Sequence, residues 1–203
     1  MITIVDYGVG NLFSLNSSFA VVGADTSVTG DPEELLRADK IVLPGVGAFG
    51  DAADRLRSLG LGEALCAAAK KGTLLLGICL GMQLLVERSY EYGEHAGLGL
   101  IPGHVDPIAD VIPPGLKIPH IGWNALKFTS RPCPLFRGIR EGEHVYFVHS
   151  YHAVGCGECT AAVTEYGADL TAAVQRDNVF GCQFHPEKSG RTGLEILRAF
   201  SAL

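Results

Sequence analysis

The chain has 203 residues, a formal net charge of −6, and 47% hydrophobic against 19% charged residues. This composition is that of a globular domain with a sizeable core, and it excludes disorder as the main state. The acidic balance argues against a nucleic-acid-binding protein, because that class carries an excess of basic residues. We therefore expect residues 1–203 to form one domain that acts on a small molecule or a protein.

Neither the N-terminal residues nor the apolar stretches indicate export or membrane insertion. Met1 leads directly into the strand-like segment ITIVDY, without a basic region or a cleavage site. The longest apolar stretch, Thr73 to Val86, contains Gly and Gln and is shorter than the roughly 18 residues that span a bilayer. Six cysteines in a chain of this length do not suggest a disulfide framework. We expect a soluble, cytoplasmic protein with no membrane partner.

The first half of the chain alternates between strand and helix patterns. This order requires a mostly parallel sheet with helices on both faces, and ligands of such sheets bind at the carboxyl ends of the strands. The predicted elements are a strand at 2–5, a helix from 11, a short helix at 31–38, a strand at 41–43, helices at 51–59 and 61–71, a strand from 73 and a helix from 80 that continues to 87.

The second half has a different character. Residues 93–114 are rich in Gly and Pro, and short strand patterns follow at 145–148, 161–164, 172–175 and 179–184. Asp177-Asn178 predicts a tight hairpin turn between the last two strands. A helix at 190–202 closes the chain. We therefore expect an α/β fold whose mostly parallel central sheet is flanked by helices, with additional short antiparallel strands in the C-terminal half.

Cys79 lies where a buried strand pattern changes into a helix pattern. Gly77 and Gly81 stand two residues to either side of it, and a sharp strand-to-helix turn needs such small neighbours. The N-terminus of a helix favours a thiolate, which is the nucleophilic form of cysteine. The alternative is that Cys79 is a small buried apolar residue, as most isolated cysteines are.

Two further segments carry groups suited to acyl chemistry. The loop from Gly45 to Gly50 follows a strand and can expose backbone N–H groups, unless it is only a flexible connection. His185 and Glu187 are two residues apart, so in extended chain both point the same way, and Pro186 between them stiffens the pair. A histidine oriented by a carboxylate can take the proton of a thiol and later protonate a leaving amine. The alternative is a solvated polar pair.

Together these segments resemble the class I, triad-type glutamine amidotransferases. The motifs are the glycine loop PGVG at 44–47, GICLGMQ at 77–83 and FHPE at 184–187. Three more stretches are similar to one branch of that family, the glutaminase subunits of imidazole glycerol phosphate synthases, and the resemblance covers the whole chain. They are DYGVGNL at 6–12, KIPHIGWN at 117–124 and YFVHSY at 146–151.

The resemblance implies a flavodoxin-like three-layer sandwich and hydrolysis of L-glutamine to L-glutamate and ammonia, without a cofactor or a metal. It implies that Cys79 forms a γ-glutamyl thioester, that His185 is the base and then the acid, and that Glu187 orients His185. The other implied residues are Val46, Gly47 and Leu80 for the oxyanion, Gln83, Ser150 and Tyr151 for glutamine, and Asn11, Trp123, Asn124 and Lys188 for a partner interface.

The implied partner is a (β/α)8-barrel cyclase subunit that uses the ammonia in histidine synthesis, in a heterodimer. Alternatives are a glutaminase subunit of another amidotransferase, such as one of the anthranilate synthase type, a stand-alone γ-glutamyl cysteine hydrolase, or a binding module without activity. A binding module without activity is disfavoured, because Cys79, His185 and Glu187 fill all three triad positions. The KIPHIGWN stretch favours the glutaminase subunit of the histidine branch. Trp123 has the alternative of a core position.

Other patterns are weak. Gly8-Val9-Gly10 lacks the third glycine of a dinucleotide fingerprint, because residue 13 is Phe. Cys156 and Cys159 have the spacing of a zinc ligand pair, but no second pair follows. The remaining histidines, namely His95, His104, His144, His149 and His152, are expected at the surface or in structural hydrogen bonds.

Overall fold

The helices and strands are those of a computed structural model that describes all residues 1–203. The strands are β1 (Ile2–Val5), β2 (Thr26–Thr29), β3 (Lys40–Leu43), β4 (Leu74–Ile78), β5 (Arg88–Ser89), β6 (His95–Ala96), β7 (His104–Pro107), β8 (His120–Ala125), β9 (Lys127–Phe128), β10 (His144–His149), β11 (Tyr151–Val154), β12 (Thr160–Glu165), β13 (Asp169–Arg176) and β14 (Val179–Cys182). The helices are α1 (Leu12–Val21), α2 (Pro32–Leu35), α3 (Phe49–Ser58), α4 (Leu61–Lys70), α5 (Leu80–Leu84) and α6 (Gly190–Ala202).

The central sheet has eight strands in the order β2-β1-β3-β4-β14-β13-β12-β9. The five strands from β2 to β14 are parallel, and β13, β12 and β9 are antiparallel to their neighbours. The prediction of an α/β fold with a mostly parallel sheet is therefore confirmed. The sheet places the last strand, β14, directly beside β4, so the chain segments that follow these two strands meet at one edge.

The apolar residues of the strands divide into two cores, one on each face of the sheet. In β3, Ile41 and Leu43 face the core that α2, α3 and α4 cover, while Val42 faces the core that α1 and α6 cover. Because successive side chains of a strand point to opposite faces, a strand buried on both sides is apolar on both sides, as residues 41–43 of β3 are. The result is a three-layer arrangement.

The short strands of the second half form two smaller sheets. β10 pairs with β8 as an antiparallel ribbon, and β11, β7, β5 and β6 form a four-stranded sheet. The two sheets are joined at Ser150, between β10 and β11. The predicted hairpin turn at Asp177-Asn178 connects β13 to β14, and Asp177 has the positive φ of 51° that such a turn needs.

Some predicted boundaries were wrong, and the short helix predicted at 31–38 ends at Leu35. The helix after Cys79 ends at Leu84 instead of continuing to Glu87, because Leu85 and Val86 leave the helix and are buried in the core. The last strand ends at Cys182 instead of Phe184. The longest helix, α6, has 13 residues. None of the helices combines the length and the apolar character that crossing a bilayer requires.

Candidate active site

Cys79 occupies a sharp turn between β4 and α5. Its backbone has φ 55° and ψ −112°, and a positive φ is rare for a residue with a side chain. The turn is held by the N–H of Cys79, which donates to the carbonyl of Cys182 on the neighbouring strand at 2.7 Å. The strained turn therefore presents the thiol at the carboxyl end of the central strand, where the sequence predicts it.

Gly77 and Gly81 are required by the space around this turn. A Cβ atom on Gly77 would lie 2.6 Å from the carbonyl oxygen of Gly81. A Cβ on Gly81 would overlap the carbonyl oxygen of Leu43, in the adjacent strand. Both contacts are with backbone, which cannot move aside as a flexible side chain can. The G-x-C-x-G spacing is therefore a packing requirement of the turn.

His185 and Glu187 form a buried pair at the end of β14. Nδ1 of His185 lies 2.7 Å from Oε1 of Glu187, and the side chains are 4% and 2% exposed. The prediction of extended chain at these residues was wrong, because Pro186 to Lys188 form a turn of 3-10 helix. The two side chains meet nevertheless, since the turn brings the carboxylate back towards the ring. Oε2 of Glu187 has no hydrogen-bond partner.

The electrostatic surroundings of His185 favour its protonated form. Burial lowers the pKa of the imidazole, but its interactions with Cys79 and Glu187 outweigh that effect and raise the pKa to about 9. Glu187 holds Nδ1, so Nε2 is the nitrogen left to exchange a proton with a reacting group. The arrangement can therefore stabilise an imidazolium beside a thiolate.

Cys79 and His185 line the same pocket, which has a volume of about 310 Å³. The sequence places these two residues far apart, and the pairing of β4 with β14 brings them together. All the other residues predicted for the oxyanion and for glutamine line this pocket too. Its lining residues are Val46, Gly47, Cys79, Leu80, Gln83, Glu91, Pro119, Val148, His149, Ser150, Tyr151 and His185.

The glycine loop after β3 is anchored at its beginning and open at its middle. The hydroxyl of the buried Tyr7 donates to the carbonyl of Pro44 at 2.8 Å, and a Cβ on Gly45 would lie 2.7 Å from that hydroxyl. Val46 is 45% exposed, and Gly47 has φ 97° and lies in open space, with no atom within 4 Å of where a Cβ would be. The middle of the loop therefore has room to change the direction of its peptides, while its beginning is fixed.

Gln83 belongs to a hydrogen-bonded group beneath the thiol. Its amide nitrogen donates to Oε1 of Gln183 and to the carbonyl of Tyr151, both at 3.0 Å. The amide of the fully buried Gln183 in turn lies 3.8 Å from Sγ of Cys79. Sequence reasoning missed Gln183, although the residue stands two positions before His185. Its position depends on a contact with a distant segment, because its N–H donates to the carbonyl of Ala172 in β13 at 2.9 Å, and such a contact leaves no local signal.

Glu91 is a second residue that the sequence analysis missed. Its carboxylate is buried in the wall of the pocket and accepts a hydrogen bond from the N–H of Phe49 at 2.7 Å. Phe49 is the first residue of α3, directly after the glycine loop. A fixed negative charge in a small polar pocket can bind a cationic group of a ligand. The surrounding sequence, an irregular turn rich in Tyr and Gly, carries no pattern that indicates this role.

The residues predicted for a partner interface lie outside the pocket. Trp123 is 52% exposed, so the alternative of a core position is wrong. Its ring packs edge-on against Tyr146 at 6.0 Å, and Nζ of the exposed Lys188 lies 6.0 Å above the same Tyr146 ring. Asn11 caps α1 by accepting from the N–H of Ser14.

Asn124, the fourth predicted interface residue, is half-buried and held from inside. Its side-chain oxygen lies 2.8 Å from Nε2 of His120, and its side-chain nitrogen donates to the carbonyl of Glu165 at 3.0 Å. The residue is half-buried, and its neighbour in the strand, Trp123, is exposed. Asn124 therefore belongs both to the surface and to an internal hydrogen-bond chain.

The cysteines and histidines of the weaker patterns lie in ordinary structural positions, with the exception of His152. Cys156 is buried, and the structure contains no group of three or more His, Cys, Asp or Glu side chains that could hold a metal ion. His104 is hydrogen-bonded to Asp106, and His144 is exposed. His152 differs from the prediction, since it is buried and neither ring nitrogen has a partner.

The comparisons with known proteins identify the family. The family model described as "Glutamine amidotransferase class-I" matches residues 3–202. Proteins named "Imidazole glycerol phosphate synthase subunit HisH" are similar over the whole chain. The one from Moorella thermoacetica is 49% identical, covering 100% of this chain and 94% of the relative, and the one from Sulfurimonas denitrificans is 50% identical, covering 99% and 97%.

Solved structures share the fold at lower sequence identity. One described as glutamine amidotransferase has a TM-score of 0.76 at 19% identity and covers 100% of both chains. A chain in the structure of PurLQS from Thermotoga maritima has a TM-score of 0.76 at 21% identity, covering 98% of this chain and 96% of that one. These likenesses concern the three-layer fold alone.

Proposed function

This chain belongs to the class I glutamine amidotransferase family, and from that premise we propose that it is the glutaminase subunit of an imidazole glycerol phosphate synthase. In this role residues 1–203 act as one amidotransferase domain that hydrolyses L-glutamine to L-glutamate and ammonia. Full-length relatives of that name support the assignment. The observation that carries it is the single pocket lined by Cys79 and His185, with Glu187 behind the imidazole.

The first half of the reaction is thiolate attack on the side-chain amide of glutamine. Sγ of Cys79 forms a bond to the amide carbon, and the carbonyl π electrons move to the oxygen. His185, protonated because its pKa is raised to about 9, then gives the proton on Nε2 to the amide nitrogen. The C–N bond breaks, ammonia leaves, and a γ-glutamyl thioester remains on Cys79.

The second half returns the enzyme to its starting state. His185, now neutral, takes a proton from water as the water oxygen attacks the thioester carbon. The C–S bond breaks, glutamate leaves, and the thiolate of Cys79 faces an imidazolium again. Glu187 keeps the imidazole in the orientation that presents Nε2 throughout, and it stabilises the positive charge when it forms.

The oxyanion of each tetrahedral intermediate needs backbone donors. Leu80 is the first residue of α5, so its N–H has no acceptor within the helix, and it directly follows the nucleophile. The peptides of Val46 and Gly47 line the other side of the pocket and supply the second donor. One such donor typically stabilises a transition state by about 3 kcal/mol. The open middle of this loop suits it for turning an N–H inward when substrate binds.

The rest of the pocket fits a glutamine molecule. The carboxylate of Glu91 supplies the charge that the α-ammonium group requires. Gln83, Ser150 and Tyr151 line the pocket near it and offer hydrogen bonds for the remaining polar groups. A ligand with one cationic and several neutral polar groups suits this lining better than an apolar one does.

The partner in this proposal is the cyclase subunit, in a heterodimer that passes ammonia directly between active sites. Ammonia that escapes into water at neutral pH becomes ammonium and loses its nucleophilicity, so a synthase benefits from direct transfer. Trp123 and Ile121, which are 52% and 57% exposed, form an apolar surface next to Lys188 that such a partner would cover. Asn11 and Asn124 complete the proposed interface.

The test is a glutaminase assay of the purified chain with and without a barrel cyclase subunit and that subunit's nucleotide ligand. We expect little hydrolysis from the chain alone and a strong stimulation in the complex with ligand. Full activity without any partner would instead indicate a stand-alone hydrolase. Stimulation by an anthranilate synthase subunit, but not by the cyclase, would indicate the other amidotransferase branch.

A further inference from the structure

A pair of histidines connects the proposed partner surface with the pocket. Nδ1 of His120 lies 2.9 Å from Nε2 of His149, and the two side chains stand opposite each other on β8 and β10. His149 lines the pocket, whereas His120 is completely buried and touches no ligand space. We name His120 and His149 the histidine pair. Neither residue takes part in the reaction derived above.

Hydrogen bonds at both ends tie the pair to groups of known position. On the pocket side, Nδ1 of His149 lies 2.8 Å from the carbonyl oxygen of Tyr151, which also accepts from Gln83. On the surface side, Nε2 of His120 lies 2.8 Å from the side-chain oxygen of Asn124. The chain of contacts is therefore continuous from the half-buried Asn124 to the residues beneath the thiol.

The hydrogen-bond chain from Asn124 through the histidine pair to Tyr151 has more contacts than the two imidazoles have N–H protons. The carbonyl of Tyr151 is an acceptor, so Nδ1 of His149 carries a proton and its Nε2 is an acceptor. Nδ1 of His120 must then donate to His149, which leaves Nε2 of His120 as an acceptor. That nitrogen faces the side-chain oxygen of Asn124, another acceptor. Three contacts need three protons, and two neutral imidazoles carry only two.

The pair does not gain the third proton at neutral pH. Burial lowers the pKa of His120, and burial together with the neighbouring histidines lowers the pKa of His149 to about 3. The mismatch therefore remains at the contact between His120 and Asn124. This is the end of the chain that lies nearest the surface.

Asn124 can relieve the mismatch by turning its amide through half a rotation. Its side-chain nitrogen would then donate to His120, but it would lose the hydrogen bond to the carbonyl of Glu165 and place an oxygen there instead. Each orientation thus leaves one contact between two acceptors. The two arrangements make the same number of hydrogen bonds, as a switching element requires, and a partner that touched Asn124 would select between them.

Two aromatic rings pack against His120 and limit the directions in which its ring can move. Its ring is stacked between Phe147 at 5.0 Å and Tyr166 at 4.0 Å, both at 21°. A ring held on both faces can shift only within its own plane, along the line that joins Asn124 to His149. We propose that the histidine pair couples the orientation of Asn124 to the position of Tyr151 in the pocket, so that His120 is a positioning residue.

This proposal rests on the proposed function, because it assigns Asn124 to the partner surface. It predicts that His120→Phe, which keeps the stacked ring but removes both hydrogen bonds, raises KM for glutamine in the ligand-activated complex by about tenfold. We expect kcat at saturating glutamine to change less than twofold. The matched control is His152→Phe, the same exchange at an equally buried histidine that makes no hydrogen bond.

A double-mutant cycle with Asn124→Ala separates coupling from general damage. If Asn124 acts through His120, its substitution raises KM in the wild-type background and has no further effect in the His120→Phe background. The cyclase is held at saturation, and its Kd is measured for each variant. Additive effects, or an unchanged KM in His120→Phe, would overturn the proposal.

The outcome does not depend on a single variant folding well. A loss of thermal stability in His120→Phe is judged against His120→Asn, which keeps a polar side chain at this position but removes the stacked ring and the contact with Asn124. Equal KM values for His120→Asn and wild type would also contradict the coupling. Failure of the proposed function looks different, because the cyclase and its ligand would then not stimulate glutamine hydrolysis by the wild-type protein.

Discussion

Nδ1 of His185 lies 2.7 Å from Oε1 of Glu187, and this contact is almost completely shielded from water. A carboxylate in such a place costs desolvation energy unless a cation or donors compensate it. Its second oxygen has no partner, so the imidazolium is the compensation that the carboxylate receives from the protein. The pair therefore stabilises the protonated state of His185, which the release of ammonia requires.

Substitution of the nucleophile should separate the two activities of the complex. We expect Cys79→Ala to reduce glutamine hydrolysis by at least about 10⁴-fold, because the thioester cannot form. Synthesis with added ammonia should persist, since the cyclase does not use the thiol. Both rates are measured on the reconstituted complex. A parallel loss of the two activities would mean that the assigned division of labour is wrong.

The carboxylate behind His185 can be tested without removing its hydrogen bond. We expect Glu187→Gln to lower kcat by roughly 10²- to 10⁴-fold, because the amide keeps the shape but not the charge that stabilises the imidazolium. Steady-state kinetics at saturating glutamine provide the measurement. The comparison is Glu34→Gln, the same exchange at an exposed residue of α2, which should keep the wild-type kcat. A kcat within twofold of wild type for Glu187→Gln would contradict the assigned role.

The raised pKa of His185 has a consequence for stability. The unfolded side chain titrates near pH 6.5, whereas the folded pKa is about 9, so the folded state holds this proton more tightly. The contribution is fully present below pH 6.5 and is lost as the pH rises through 9. It amounts to roughly 3 kcal/mol at most.

Urea unfolding at pH 6.5, 8 and 9.5 measures this contribution. We expect the free energy of unfolding to fall across that range in wild type and to fall less steeply in Glu187→Gln, which lacks one of the two groups that raise the pKa. The buried thiols, such as Cys156, have pKa values raised by burial and contribute only at the upper end. Identical slopes in both proteins would exclude His185 as the cause.

The turn around the nucleophile should not tolerate a methyl group. We expect Gly81→Ala to lower the free energy of unfolding by about 1 to 3 kcal/mol and to reduce activity, because its Cβ would overlap the carbonyl of Leu43. The control is Gly62→Ala in α4, where the nearest atom would be a Leu98 methyl at an ordinary 3.4 Å. That exchange should be neutral or stabilising by up to about 1 kcal/mol. Similar losses in both variants would refute a steric origin.

The exposed tryptophan offers a test of the proposed partner surface. Trp123→Ala should lower the fraction of ammonia that the complex uses more than it lowers the melting temperature, since the ring is half-exposed in the isolated chain. The ratio of glutamate formed to product formed measures this coupling. Leu59→Ala, at an exposed apolar residue after α3, should leave the ratio at its wild-type value. An unchanged ratio in Trp123→Ala would remove this residue from the interface.

Local sequence was sufficient for the parts of the site that lie within one segment. The strand-to-helix turn at Cys79 was predictable from the change of periodicity and from its two glycines, because those requirements act over a few residues. The same holds for the hairpin at Asp177-Asn178. The end of α5 was not predictable, since Leu84 to Val86 are all apolar and only tertiary packing decides where the helix stops.

By itself, then, the sequence determined the fold class and identified Cys79 and His185 as candidate catalytic residues, together with their resemblance to a family. Only the tertiary structure decided which side chains surround them. Contacts between distant segments place Gln183, Glu91 and the histidine pair. The reason is physical: such contacts depend on which strands lie side by side and on where each buried polar group finds a partner, and neither is encoded in the periodicity of one segment.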